Sequence, residues 1–446
     1  MKVAPTLPTE VCEQVMDKIA EDLLQTNIYF RDVNFSQLTS CALVCRAWLP
    51  RSRYHMYRFI RIKNPEDLSM FRAITRQSSC ASPRFLGIYP SEFPHPSGKH
   101  NETSPLNSSW ISSIPIQISS AIRQLEVLSI SNVDMRNTHP KFNAALSVAR
   151  TTEIIELCQL TFASFTGLIR TVSSFQNIRT LVLASICISP LTTTGYSDNR
   201  HRQKPYDPFS RSLVPVLSDL MVVRIDPVVT NQLLTWLKDA FFLYELKRLV
   251  LDAHCLSPSS AKATQEFINE CDALQIVAFL GSNSISPLDS PASLDLSHAP
   301  NLISLSLDIR GLSPSYTSFL GTLKSIHSSP KSSLTEVAIA FPSMVDGNVD
   351  IPSDFPWTEV DNILNHERYS NLAVLNLYFP IHIWKHIIGD ADRMEEIEEL
   401  AIDVEQILPW SLDMIVACSV TISKQYPYLS RNMDMKEFTR PEGPVR

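Results

Sequence analysis

The chain has 446 residues, 44% of them apolar, which is enough for a sizeable core and too much for a disordered polymer. Its 39 basic and 46 acidic residues leave a formal net charge of -7, without the basic surplus expected of a nucleic-acid binder. Only ten glycines occur, no two closer than Gly311 and Gly321, so neither a dinucleotide loop nor a P-loop can be assembled from clustered glycines.

The opening Met1-Lys2-Val3-Ala4-Pro5-Thr6-Leu7-Pro8 has no apolar run of the signal-peptide kind, and no stretch is long and apolar enough for a membrane span. The nine cysteines are odd in number and scattered, several of them inside apolar runs (Cys41, Cys158, Cys187, Cys418). They are expected to be reduced core thiols of a cytoplasmic or nuclear protein without a membrane partner.

Residues 7 to about 60 read as a helical block. Thr9 is placed as an N-cap with Glu10 in the first turn, where the helix dipole favours an anion. Val11, Val15 and Ile19 follow at helical spacing. A second apolar run, Leu38 to Trp48, is predicted helical until Pro50, and a basic, aromatic segment follows from Arg51 to Phe59. So small a block cannot bury its apolar surface alone, which makes it a docking surface by default.

The ordered pair Leu7-Pro8-x-Glu10-Val11 and Leu43-Val44-Cys45-Arg46-x-Trp48, followed by basic and aromatic residues, resembles the F-box of fungal F-box proteins over about 55 residues. Glu21 to Gln37 looks like an insertion where the family has a shorter link. The resemblance implies that Leu7, Pro8, Val11, Leu43, Val44 and Trp48 belong to a block binding a Skp-type adaptor and, through it, a cullin. Ile19 is added from the first helix's stripe.

Beyond the block, Phe59 to Ile62 reads as a strand, Pro65 to Arg76 as a helix and Phe85 to Ile88 as a second strand, with a Pro/Ser-rich loop from Pro90 to Ser109. A template L-x-x-L-x-L then recurs, starting at Leu125, Ile155, Ile178, Leu220, Leu246, Leu274, Leu302, Leu334, Leu372 and Ile397. Chance alone would give on the order of fifteen matches, so the weight lies in the spacing, mostly near that of leucine-rich repeats, and in the intervening helical stretches. Those stretches are Val229 to Phe242, Ser260 to Asn269, Tyr316 to His327 and Val360 to Leu364. The Asn ladder of leucine-rich repeats is mostly missing. Ser189 to Ser212 reads as an inserted loop and Ser430 to Arg446 as a mobile tail.

Catalytic and metal chemistry find little support. His382 and His386 stand at i and i+4, but without the Glu of the zinc-protease helix or a further ligand. Glu395, Glu396, Glu398 and Glu399 flank the template residue Ile397 and are expected to face water. No Gly-x-Ser-x-Gly elbow or recognisable catalytic histidine motif is present. The chain is therefore not expected to be an enzyme or to need a cofactor or metal.

Alternation along a strand sends template positions 4 and 6 inward and positions 3, 5 and 7 to the open face. Position 7 is Asp at Asp226, Asp252, Asp308 and Asp403, with Tyr378 at another unit and Arg224 and Arg248 nearby. One reading is a target-binding face for basic groups; the other is that Asp ends strands and starts turns.

The expected fold class is α/β: a helical F-box over 1–60, strand–helix units and the Pro/Ser-rich loop over 61–120, and an irregular leucine-rich-repeat-like solenoid over 121–430 that carries the 189–212 loop, with a tail over 431–446. The expected function is substrate recognition in a Skp–cullin–F-box ubiquitin ligase, with the repeat body binding a protein destined for ubiquitin-dependent degradation. The alternative is a repeat scaffold or sensor that binds the adaptor without assembling a ligase.

Overall fold

The computed structural model describes residues 8–26, 36–77, 82–90, 109–139, 141–189, 214–280, 292–308, 316–326, 333–340, 355–364, 366, 369, 371–372, 374–378 and 416–419. The chain divides into two compact units, Met1–Pro215 and Val216–Arg446.

The first unit opens with three helices: α1 (Thr9–Thr26), α2 (Ser36–Val44) and α3 (Leu49–Tyr57). The second predicted helix is shorter than its apolar run. It ends at Val44, and Pro50 stands in the first turn of α3 rather than closing a helix. A first-turn proline is favourable because its missing N–H has no partner there anyway. The basic, aromatic segment thus becomes α3, and α1 runs on through Glu21 to Thr26, into the expected insertion.

Strands and helices then alternate: β1 (Phe59–Ile62), α4 (Pro65–Gln77), β2 (Phe85–Ile88), α5 (Ser109–Ile118), β3 (Val127–Asp134), α6 (Phe142–Leu146), β4 (Ile154–Phe162), α7 (Phe165–Val172), β5 (Thr180–Ala184) and the two-residue β6 (Cys187–Ile188). Each strand from β1 to β5 pairs in parallel with the next in sequence, and β6 lies beside the end of β4. The second unit repeats the pattern with β7 (Asp219–Val223), α8 (Pro227–Ala240), β8 (Arg248–Asp252), α9 (Pro258–Ile268), β9 (Ile276–Leu280), β10 (Ser304–Asp308), α10 (Thr317–Ile326), β11 (Glu336–Ala340), α11 (Trp357–Leu364), β12 (Val374–Tyr378) and β13 (Val416–Ser419). Consecutive strands from β7 to β13 are again parallel neighbours. The chain is therefore an α/β protein with extensive parallel sheet and an N-terminal helical region.

Strand register aligns the template. In the second unit Leu249, Val277, Leu305, Val337 and Leu375 are successive partners, with 28 residues from Leu249 to Val277 and again to Leu305. These residues and the ones two positions on, Leu251, Phe279, Leu307 and Ile339, are buried, as positions 4 and 6 require.

Two of the ten units were placed out of register. Ile155 pairs with Leu128 and Leu181, and Leu220 pairs with Leu249, so both occupy position 4 and their units begin at the buried Thr152 and Leu217. The cause is a recurrent turn. Asn132, Gln159, Ser185 and Arg224, each four residues past position 4, adopt positive φ between 53° and 59°. That left-handed step ends the alternation and sends the next residue inward, burying Val133, Leu160, Ile186 and Ile225. In two units this extra apolar residue imitates the template, as Ile155-x-x-Cys158-x-Leu160 and Leu220-x-x-Val223-x-Ile225. The unit beginning at Ile397 lies outside the described residues, and the neighbour of β12 is β13, with Leu375 opposite Val416.

In the first unit the helical region packs directly on the sheet. Leu38 of α2 is fully buried against Phe59, Phe85 and Val127, which head β1, β2 and β3, while Ile19 of α1 and Met56 of α3 close around them. Truncating Leu38 removes a side chain from a packed cluster that cannot fully collapse. Leu38→Ala should cost about 3 kcal/mol, read as a lowered urea midpoint with an unchanged denaturant slope.

Candidate functional site

The helical region is held together from both chemical directions. Cys12, Met16 and Ala20 form the buried face of α1 at one-turn spacing, and Ser52 of α3 donates its hydroxyl to Met16 Sδ at 3.1 Å. Beside that face, Asp17 receives a bidentate pair from Arg51, with Nε and Nη2 each 2.7 Å from a carboxylate oxygen. His55, one turn along α3, places Nε2 2.7 Å from Asp17 Oδ1. Against an ionised carboxylate that nitrogen must carry the proton.

The fork from Arg51, opposed by partial burial and aided by His55, holds the Asp17 carboxyl at about 2, below the ordinary 3.8. His55 moves downwards from 6.5, because burial of its ring outweighs the attraction of Asp17. Neither residue was singled out from the sequence, since nothing in the spacing of Asp17 and Arg51 reveals which face α3 turns to α1.

Several apolar side chains of α1 and α2 stay open to solvent. Val11 and Val15 on α1 are 40% and 47% exposed, and Leu43 and Val44 at the end of α2 are 82% and 61% exposed. Pro8 is exposed and accepts hydrogen bonds from the Val11 and Cys12 amides at the start of α1. Trp48 is half-buried, and its carbonyl accepts the Ser52 amide in the first turn of α3. Leu7 lies outside the described residues.

Ile19 is a correction: it packs inward on the Leu38 cluster instead of continuing the open stripe. Each four-residue step advances about 40° beyond a full helical turn, so two steps carry Ile19 roughly 80° round from Val11.

The aspartate face also needs correction. With Leu220 at position 4, Val223 takes position 7, and Asp226 falls three residues beyond it. Asp226 is the N-cap of α8, accepting the Val228 and Val229 amides at 2.9 and 3.4 Å. Asp252 does hold position 7, yet it is only 2% exposed. Its Oδ2 accepts the Arg224 amide at 2.7 Å, and His254 Nδ1 lies 3.4 Å from Oδ1. Burial drives that carboxyl up, but the His254 and Arg224 hydrogen bonds prevail and leave it below its ordinary value. Arg224 is the exposed left-handed residue after β7, and Arg248 faces Asp219 across adjacent strands at 3.7 Å.

Asp252 and Arg248 therefore tie consecutive units together and Asp226 starts a helix, as the turn reading expects, and no shared acidic surface links Asp226 to Asp252. For Asp308 and Tyr378 only the strand backbone is described, and Asp403, the His382/His386 pair and the Glu395 to Glu399 cluster lie outside the described residues.

Among the described residues no three His, Cys, Asp or Glu side chains gather to hold a metal, and no helix is long and apolar enough to cross a membrane. Cys12, Cys41, Cys255 and Cys271 are buried free thiols. Burial raises the thiols of Cys255 and Cys271, leaving them poor nucleophiles. No protein-family model matches the chain, and no curated protein matches it in sequence.

Asp17 is lowered in the folded state, so its contribution is complete above 3.8 and fades as pH falls towards 2. His55 is also lowered, so the unfolded chain takes its proton first and stability begins to fall below 6.5. With its side chain 38% exposed, Asp17 is credited with about 1 kcal/mol once solvent screening is allowed for. Urea unfolding of Asp17→Asn should show that deficit at about pH 7 and a vanishing one towards pH 2. A deficit independent of pH would mean that the carboxylate charge is not its source.

Proposed function

We propose that the chain is an F-box substrate-recognition subunit, whose helical region docks onto a Skp-type adaptor of a Skp–cullin–F-box ubiquitin ligase and whose body binds a protein target. The observation that carries this reading is the exposure of four large apolar residues, Val11, Val15, Leu43 and Val44, on helices that are packed along other faces. Aliphatic side chains left open on two neighbouring short helices are groups that a partner would cover. Three of the four, Val11, Leu43 and Val44, belong to the segments that resemble the F-box.

The finer reading of the body is a leucine-rich-repeat-like solenoid. Its support is the template residues Leu249, Val277, Leu305, Val337 and Leu375, which stand in one register across consecutive parallel strands, most of them joined through helices. In such a complex the chain performs no covalent step. It holds a target near the ligase's catalytic partner and so raises the target's effective concentration there.

The test is a pull-down of a purified Skp-type adaptor with wild type and with Val15→Asp/Leu43→Asp. Both positions are exposed, so the urea midpoint should stay within about 0.5 kcal/mol of wild type. Adaptor affinity should fall at least about tenfold, since two carboxylates would be desolvated at the contact. Equal recovery of adaptor by the two proteins would sink the reading.

A further inference from the structure

We propose that a cavity between the helical region and the first two strands binds a compact oxyanion, a phosphate group, through Arg58 with Arg51 and Arg84. The cavity measures about 90 Å³ and is lined by Asp17, Glu21, Arg51, His55, Arg58 and Arg84, together with Ala20 and Phe59. That is room for a few waters or one tetrahedral anion, and too little for a nucleotide.

Charged residues stack in a row where the strands of the first unit begin. Arg58, Arg84, Glu126, Glu153 and Arg179 are equivalent residues, each immediately preceding the first partnered residue of β1 to β5. Successive backbones are linked there, with the Arg84 carbonyl accepting from Glu126, the Glu126 carbonyl from Glu153, and the Glu153 carbonyl from Arg179. Parallel strands lie about 4.8 Å apart, so neighbours in this row interact directly. Arg84 forms a bidentate pair with Glu126, and Glu153 faces Arg179 at 4.0 Å.

Arg58 begins the row and has an arginine, not a carboxylate, as its neighbour there. Arg51, already committed to Asp17, lines the same cavity. Both guanidinium groups lie over the Tyr54 ring, at 5.1 Å for Arg51 and 5.3 Å for Arg58. Among the described residues Arg58 makes no ion pair. It is half-buried, and burial followed by the repulsion of Arg84 weakens its hold on the proton.

A half-buried cation that no carboxylate pairs is an unfavourable arrangement that an anion would reverse. The carboxylates nearby do not fill the place. Asp17 is neutralised by Arg51, Glu126 by Arg84, and Glu21 is exposed. Planar guanidinium forks match the oxygens of a phosphate group better than those of any uncharged ligand.

The test is a titration of the full chain with inorganic phosphate at constant ionic strength, followed by thermal unfolding and by calorimetry. Wild type should be stabilised saturably, whereas sodium chloride at matched ionic strength should have no such effect. In Arg58→Gln the affinity for phosphate should fall at least about tenfold. Without phosphate this variant should unfold at the same urea concentration as wild type or higher, because a repelled charge has been removed. A wild-type response that chloride reproduces, or an Arg58→Gln response equal to that of wild type, would overturn the site. O-phosphoserine as a second probe separates the sources. Tighter binding than inorganic phosphate assigns the group to a phosphorylated side chain, weaker binding assigns it to the free ion, and the site stands in either case.

Discussion

Parallel pairing of strands that are neighbours in sequence is the constraint on which the molecule depends. Two parallel strands cannot be joined by a tight turn, so each connection must travel back along the sheet before the next strand starts. Here most of those return paths contain a helix, and the same two positions are buried in strand after strand, as at Leu249 and Leu251 or Val277 and Phe279. The other face is left to whatever the particular strand carries. In the first unit that face begins with Phe59, Phe85 and Val127, and the N-terminal helices use it as their floor.

That floor explains the division of labour within the helical region. Leu38, Met16 and Ile19 face inward, and the Asp17–Arg51–His55 cluster fixes α1 against α3. Once those contacts are made, Val11, Val15, Leu43 and Val44 remain partly or largely open to solvent. The exposed apolar residues are thus a consequence of how the helices are anchored. An apolar surface held by an anchored scaffold can be covered by a partner with little ordering cost, which favours binding.

Much of this organisation was legible in the sequence where one signal dominates. Phe59 to Ile62 and Phe85 to Ile88 were placed as strands, Pro65 to Arg76 as a helix, and Val229 to Phe242 close to the bounds of α8, because apolar periodicity speaks clearly in short elements. Pro50 was misread because a proline can begin a helix as readily as it ends one. Ile155 and Leu220 were misplaced by three residues because the left-handed turns at Gln159 and Arg224 are made without glycine, so no residue type marked them. Asp226 left the acidic row with that register, and Asp252, which keeps its position, is buried. Asp17, Arg51 and His55 were invisible for a different reason: their meeting depends on the rotation of two helices, which no single segment encodes.

The same left-handed turn accounts for the missing asparagine ladder. In the four units that contain it, the residue after the turn is Val133, Leu160, Ile186 or Ile225, and all are buried. An apolar side chain there needs no hydrogen-bond partner, so these units are joined by packing instead of by an amide ladder. In the unit of β8 the equivalent place is His254, whose ring stands 3.4 Å from both Asp252 Oδ1 and Thr230 Oγ1 of α8. Where a polar residue enters this row, the structure surrounds it with polar partners from the preceding unit, including the Arg224 amide bound by Asp252. The Arg224 amide and the nearby His254 ring offset the burial of the Asp252 carboxylate, so Asp252 and the Arg224 backbone are coupled across consecutive units. In these units a departure from the template is thus matched by a local contact that the template alone would not have demanded.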